Sequence, residues 1–474
     1  MSQCCSFKEL LLRSASSRKI RNQPLIPDFF MSIQEDLNAV LDIAEQPLAR
    51  LDVITEHLPT DWIQAAAALS AEASIRRRRL PPDMVLWLVV GMAFFRHEPI
   101  LEVARRLNIG ADGLADETLL AKSSLSQARQ RLGSQPIEWL FRRCAGVWGH
   151  ERYPDDHWHG LQVFAIDGAL FRTQDTPELR DHFGSGNTST ARQTPYPMLR
   201  LVTLMNVRSH VMANAAISPY RRGEIPLASD FVATIPANSV TLLDKGFFSA
   251  DLLLSLQTEQ NRHWLIPERK GLVSREVKRY GDGDCLVRMK VSPQARKKNP
   301  SLPEHWSARA VTYEVQGKPK TVFTSLPADR FSAEQVATLY HERWEIELGY
   351  RDIKSSMQHN TVTLRSRTVA LVYQELWGLL LGYNLVRREA SQAAVAHQRA
   401  PGDVSFKFAC QFIASQLLVM AGALSPAHTP RRLAELRGSI GCLFITRRPR
   451  PSRPRTVKIS KTRFPVDRNA APLK

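Results

Sequence analysis

The stretch LYHERWEIELGYRDIK, residues 339–354, carries four acids and four bases (counting His341) in sixteen residues. At about 100° per residue, Tyr340, Arg343, Glu347 and Lys354 fall within an arc of roughly 60° on a helix. Glu345 and Asp352 project to a different side, and Glu342 lies nearly opposite Tyr340. One acid of the four is thus set between two bases on a stripe where an amphipathic helix normally carries apolar residues. Two readings stay open at this point. Arg343 and Glu347 form an i,i+4 ion pair worth a few tenths of a kcal/mol, or Glu347 is placed for chemistry.

Two further acids bear on the choice. LQVFAIDG is an apolar run that ends in Asp167 and Gly168, and SVTLLDKGFFS repeats the pattern with Asp244, Lys245 and a helix start for which Ser249 is a plausible N-cap. Continuous apolar strands are buried on both faces, and ligands of α/β sheets bind beyond strand carboxyl ends. An aspartate there is partly desolvated and costly unless a cation compensates it. One such aspartate is often only a turn cap. Two, with a glutamate on a basic stripe, look like a site for a hard metal such as Mg²⁺, which takes carboxylates, waters and phosphate oxygens. Two ions about 4 Å apart serve phosphoryl transfer by activating the attacking oxygen and stabilising the leaving one. Arg343 and Lys354 are then phosphate ligands beside the metals.

These residues need elements to position them. The chain has 474 residues, enough for several domains. Residues 31–150 read as helical, from the spacing of apolar residues in IQEDLNAVLDIAEQ, DMVLWLVVGMAFFR, ILEVARRLNI and SLSQARQRL. Residues 155–268 alternate short β-rich runs with a helix. Residues 269–325 read as an all-β insertion, and helices return through 326–398 and 399–446. The first thirty residues are expected to be a disordered extension arising from an upstream start codon. The tail 447–474 begins with RRPRPSRPRTVKISKTR, whose prolines and eight positive charges predict an extended arm for phosphate contact.

A net charge of +18 points to a polyanionic partner, with nucleic acid the default. Six cysteines without C-x-x-C spacing argue against a disulfide framework or zinc site and fit a reducing cytoplasm. The longest apolar run, MVLWLVVGMAFF, has twelve residues, too short to span a bilayer, and reads as a buried helix; no membrane partner is expected. His157 and His159 in DDHWHG lack a full zinc ligand set. No H-E-x-x-H, P-loop or G-x-G-x-x-G occurs. The arginines of SIRRRRLPPD (74–83) and the polar side of SSLSQARQRLG, with Gln127, Arg129 and Arg131, are expected to meet DNA, the latter as the second helix of a DNA-binding domain after EVARRLNIG.

Tyr340-x-x-Arg343-x-x-x-Glu347-x-x-x-x-x-x-Lys354 resembles, residue for residue, the Y-x-x-R-x-x-x-E-x-x-x-x-x-x-K signature of DDE transposases from bacterial insertion sequences. AIDG, DKGFFS and RWEIELGYRDIK are similar to the acid blocks of the insertion-sequence-four branch, as are PQARKK and QELWGLLLGYNLVR. The resemblance runs from about residue 35 to 440. It implies a ribonuclease H-like α/β core in which Asp167, Asp244 and Glu347 meet around two Mg²⁺ ions, with Mn²⁺ as a substitute. It also implies cleavage of double-stranded DNA at terminal inverted repeats, strand transfer to target DNA, and a homodimer in a synaptic complex. DNA contacts follow for Tyr340, Arg343, Lys354 and Lys245. Trp306, in the insertion, is a speculative partner for a flipped base, with an ordinary surface patch as the blander reading. The alternatives are a related nuclease without strand transfer and a domesticated, non-catalytic DNA-binding protein. The expected location is cytoplasmic, at the nucleoid.

Overall fold

A computed structural model describes residues 58–70, 80–107, 109, 121–423 (apart from residues 155, 190–191, 194–195, 258–259, 316 and 360–362) and 429–445. The expectations for residues 1–30, the helix at 31–46, the arginines of 74–79 and the tail 447–474 lie outside the described residues. Those described belong to one unit, Pro47–Lys474.

The chain opens with five helices: α1 (Thr60–Ala68), α2 (Pro82–Phe94), α3 (Ile100–Arg106), α4 (Lys122–Leu132) and α5 (Gln135–Trp148). Pro82 stands in the first turn of α2, where a missing N–H costs nothing. Val85 to Phe94 are all buried, so this helix is apolar around its whole circumference because it has no solvent face. Gly133, at φ +72°, ends α4 in a conformation that only glycine takes freely.

The sheet elements follow: β1 (His157–Trp158), β2 (Leu161–Arg172), α6 (Pro177–Phe183), the small ladder β3 (Asn187–Ser189) with β4 (Arg192–Gln193), β5 (Met198–Asn206), β6 (Met212–Pro219), α7 (Glu224–Ser229), β7 (Ser239–Leu243), α8 (Ala250–Leu256) and β8 (Arg262–Pro267). Next come β9 (Ser274–Gly281), β10 (Asp284–Lys290), α9 (Pro293–Lys298), β11 (His305–Val315) and β12 (Lys318–Thr324). The chain then runs through α10 (Ala333–His341), α11 (Trp344–Arg351), a π-helical turn at Asp352–Met357, α12 (Val369–Ala396), α13 (Phe406–Ala423) and α14 (Thr429–Ile440).

The main sheet has the order β6-β5-β2-β7-β8-β12-β11-β10-β9. β6, β5 and β2 form an antiparallel meander, while β2, β7 and β8 are parallel. Three antiparallel strands followed by two parallel ones give the ribonuclease H-like core. Parallel neighbours need crossovers, which α7 and α8 supply. The stretch 269–325 departs from the all-β expectation in holding one helix, α9, where Pro293 opens the first turn and Ser292 Oγ accepts from Ala295 N at 3.2 Å. Its strands form no separate sheet. β12 pairs with β8 through Val322↔Pro267, Phe323↔Ile266 and Thr324↔Leu265, so the core sheet simply continues.

The long helix α12 is, among the described residues, the one long and apolar enough to cross a membrane, yet 83% of its apolar window is buried inside the protein. It packs against α2, α5, α13 and α14. Its buried acid Glu375 is paired rather than solvated. Buried Glu375 accepts from Arg96, from Arg365 N at 2.9 Å and from Ser366 N at 2.8 Å. α12 therefore ties the N-terminal helices to the loop that leads away from the π-helical turn.

Candidate active site

Six buried residues, Leu161 to Ile166, carry β2 to half-buried Asp167. Parallel pairing of Ile166 with Leu243 makes Asp167 and Asp244 the next residues on adjacent strands, whose spacing is about 4.8 Å. Asp244 directly follows β7 and caps the short 3₁₀ turn Lys245–Phe247, with Oδ2 accepting from Gly246 N at 3.2 Å. Asp167 Oδ1 accepts from Gly168 N at 2.7 Å. A Cβ on Gly168 would stand 2.7 Å from Glu224 Oε1, so the missing side chain admits this carboxylate, which pairs with Arg200, beside the strand.

The third acid arrives on α11. Arg343 Nη2 donates to Glu347 Oε1 at 2.7 Å, and Arg343 Nη1 lies 4.0 Å from Asp167 Oδ2. Tyr340 Oη stands 3.5 Å from Leu243 O, beside Asp244, and its ring centroid is 6.0 Å from the Arg343 guanidinium. Lys354 Nζ lies 5.4 Å from the Phe171 ring on β2. The stripe is therefore gathered on the β2–β7 side of the sheet, but not by a straight helix. The helix breaks at Glu342–Arg343, and a π-helical turn carries Lys354.

Electrostatics ties the acids together. Burial is the main reason that the Asp167 carboxyl is pushed up to about 6. The Gly168 N–H and Arg343 pull it down, while the charges of Asp244 and Glu347 raise it further. Burial likewise holds the Tyr340 phenol above its ordinary value, so it stays a donor.

The remaining acids of the 339–354 stretch turn elsewhere. Glu342 accepts from Arg208 at 3.0 Å, Glu345 lies 2.9 Å from His210 Nε2, and Asp352 pairs with Arg387. Arg208 and His210 sit on the β5–β6 hairpin, which thus grips α11 on the side away from Glu347. One residue not singled out in the sequence touches the site directly, with a second behind it. Tyr350 donates to the Asp167 carbonyl at 2.7 Å and meets Thr203 Oγ1 at 2.8 Å. Its position three residues after Glu347, on the same helix face, is the signal that could have found it.

Two expectations need correction. Arg129 is buried at 6% exposure, its Nε donating to Gln374 at 2.8 Å and its Nη2 to Ser366 at 3.2 Å, so it is packed within the fold rather than presented at the surface. Gln127 on the same helix is exposed and Arg131 half-buried. Trp306 is neither a free stacking platform nor a surface patch: it is 6% exposed, 5.8 Å from the Trp264 ring and 6.2 Å from Phe248. Alternation along β11 turns it into the core.

Three acids from separate elements, with a guanidinium between two of them, supply what a hard divalent cation binds: oxygen donors whose charge needs compensation. Among the described residues, no three His, Cys, Asp or Glu side chains stand grouped to hold a metal as they are. Arg343 holds Glu347 through Oε1 instead.

Residues 158–385 match the family model described as the transposase DDE domain, and residues 48–142 match the insertion element 4 transposase N-terminal region. The protein is thus an enzyme of the DDE transposase class. It is 38% identical over 442 residues to the putative transposase InsZ of Escherichia coli (strain K12), covering 92% of this chain and 99% of that protein. It is 39% identical over 437 residues to the transposase InsG for insertion sequence element IS4 from the same organism, covering 91% and 96%. A solved piggyBac transposase synaptic complex with hairpin DNA overlaps 88% of this chain and 87% of its own at 12% identity, with a TM-score of 0.39. The chain belongs to the insertion element 4 family of transposases.

Proposed function

We propose that this transposase binds the terminal inverted repeats of its own insertion sequence, cuts the DNA there and joins the freed ends to target DNA, with Mg²⁺ as the working metal. The observation that carries the reading is the convergence on Asp167: its carboxyl feels both Asp244 and Glu347, and Arg343 reaches it and Glu347 alike. Asp167, Asp244 and Glu347 would hold the metal, as a pair of ions in the fullest form and with Mn²⁺ as a substitute. Bound there, it would supply positive charge for the attacking and leaving oxygens.

The chain's own groups account for the rest. Arg343, with its planar fork, and half-buried Lys354 are suited to non-bridging phosphate oxygens. Exposed Lys245, next to Asp244, faces the same approach. Tyr340 fills the space behind Arg343 and keeps its guanidinium at the acids. In the first reaction water attacks the phosphodiester at the element end; a P–O bond forms, the bond to the 3′-oxygen breaks, and a 3′-hydroxyl is released. In the second, a 3′-hydroxyl attacks target DNA in the same manner. Both are in-line displacements at phosphorus, so one preorganised site serves both.

The N-terminal helices, with exposed Gln127, and the basic tail are assigned to DNA binding. Two copies are assigned to a paired-end complex in the bacterial cytoplasm, with no membrane partner. The test is nicking and strand transfer of end-sequence DNA by wild type and Glu347→Gln. Mg²⁺-dependent products from wild type alone support the reading. Equal activity in both ends it, and nicking without joining reduces the protein to a nuclease.

A further inference from the structure

Tyr350 is neither an acid nor a base of the site and is only 6% exposed. Its hydroxyl meets two groups: the Asp167 carbonyl at 2.7 Å and Thr203 Oγ1 at 2.8 Å. A carbonyl only accepts, so the phenol proton goes to Asp167 O and Thr203 donates to the phenol oxygen. Thr203 is fully buried and is the partner of Asp167 across the β2–β5 ladder. The β2–β7 ladder ends at Ile166↔Leu243, so Asp167 is the first residue of β2 beyond it. A part-buried carbonyl at such a place is best satisfied by a partner from another element, and α11 provides one.

Tyr350 follows Glu347 by one turn on the same helix. One hydroxyl therefore fixes the height and rotation of the helix that carries Glu347 against the strand that carries Asp167. Gly349 allows the close approach, since a Cβ there would stand 3.0 Å from both Met205 Sδ and Tyr383 Oη.

We infer that Tyr350 is a positioning residue, whose hydroxyl sets the separation of the Asp167 and Glu347 carboxylates and through it their shared hold on a divalent cation. The inference rests on the reading of these acids as metal ligands. Loss of a group that orients metal ligands from behind costs about 10–100-fold in metal affinity or activity.

The test uses full-length Tyr350→Phe, which keeps the ring and loses the proton. Mn²⁺ binding without DNA, followed by electron paramagnetic resonance, should weaken by about tenfold or more, and half-saturating Mg²⁺ for nicking should rise by a similar factor. Affinity for end DNA in the absence of metal should match wild type, and the melting temperature should fall only by the few degrees that one lost hydrogen bond costs, which separates positioning from a general structural role. Thr203→Val should shift the metal titrations in the same direction, and the double variant should be no worse than Tyr350→Phe, because Thr203 acts through the phenol. If Tyr350→Phe does not fold, Thr203→Val alone decides. Wild-type metal titrations from either folded variant overturn the inference while Glu347→Gln remains inactive. A wild type without Mg²⁺-dependent nicking removes the underlying reading, and the inference with it.

Discussion

Arg343 donates to Glu347 across one turn of the chain at 2.7 Å, joining the two residues whose spacing first marked the helix. A surface i,i+4 pair would end there. This guanidinium also reaches toward Asp167, on another element, at 4.0 Å. The ion pair and the chemical placement are thus one arrangement, in which an arginine supplies countercharge among acids.

Arg343→Ala should slow nicking by about 10²-fold, the usual loss when one charge-stabilising donor is removed. Stability should change by no more than about 1 kcal/mol, because Glu347 is exposed enough to hydrate. Arg343→Lys should recover little, since a point charge cannot replace a planar fork. Single-turnover nicking beside thermal melting checks this. A protein unfolded by Arg343→Ala would show that the pair serves the fold.

Asp167 predicts a pH dependence of stability. Its carboxyl is pushed up to about 6 from the usual 3.8, so the folded state holds the proton more tightly than the unfolded chain. That contribution is fully present below pH 3.8 and is lost as pH rises through about 6. Above it, the ionised group costs on the order of 3 kcal/mol. Asp167→Asn should therefore be more stable than wild type at neutral pH in metal-free urea titrations, and the gap should close on acidification. Added Mg²⁺ should stabilise wild type alone.

Trp306 provides a test of the core assignment. Trp306→Ala should cost about 3–5 kcal/mol, as for any large buried aromatic side chain. Trp306→Phe should keep most of the stability and the nicking rate. Loss of activity by a stably folded Trp306→Phe would return this residue to DNA contact.

How much of this was legible in the chain differs by element. Asp244 could be placed because an apolar run fixes where a buried strand ends, and the Glu347 stripe because helical phase is local; at Asp167 the run marked only where pairing with β7 stops, since β2 itself continues to Arg172. Arg129 was misjudged for the opposite reason. Its partners Ser366 and Gln374 lie more than 200 residues away, and no local pattern separates a buried arginine from one facing a groove. The break at Glu342–Arg343 and the π-helical turn were equally hidden, lying where Arg208, His210 and Arg387 from distant parts of the chain pair with three acids.

Glu375 tests the tie between the N-terminal helices and α12. Arg96 heads the groups that hold its carboxyl down at about 2, against the opposing effect of complete burial. Its stabilising contribution is present above pH 4.5 and lost as pH falls toward 2. Glu375→Ala should cost about 3–5 kcal/mol at neutral pH by leaving Arg96 buried without its partner. Chemical denaturation at pH 7 measures it, and a change below about 1 kcal/mol would mean that the tie is dispensable.

Asp167, Asp244 and Glu347 are proposed to share a divalent cation. The most direct measurement is anomalous diffraction from the full chain crystallised with end-sequence DNA and Mn²⁺. An anomalous peak ligated by all three carboxylates, with Arg343 turned to the phosphate, is expected. A peak elsewhere, or three carboxylates left apart with Arg343 still on Glu347, would contradict it.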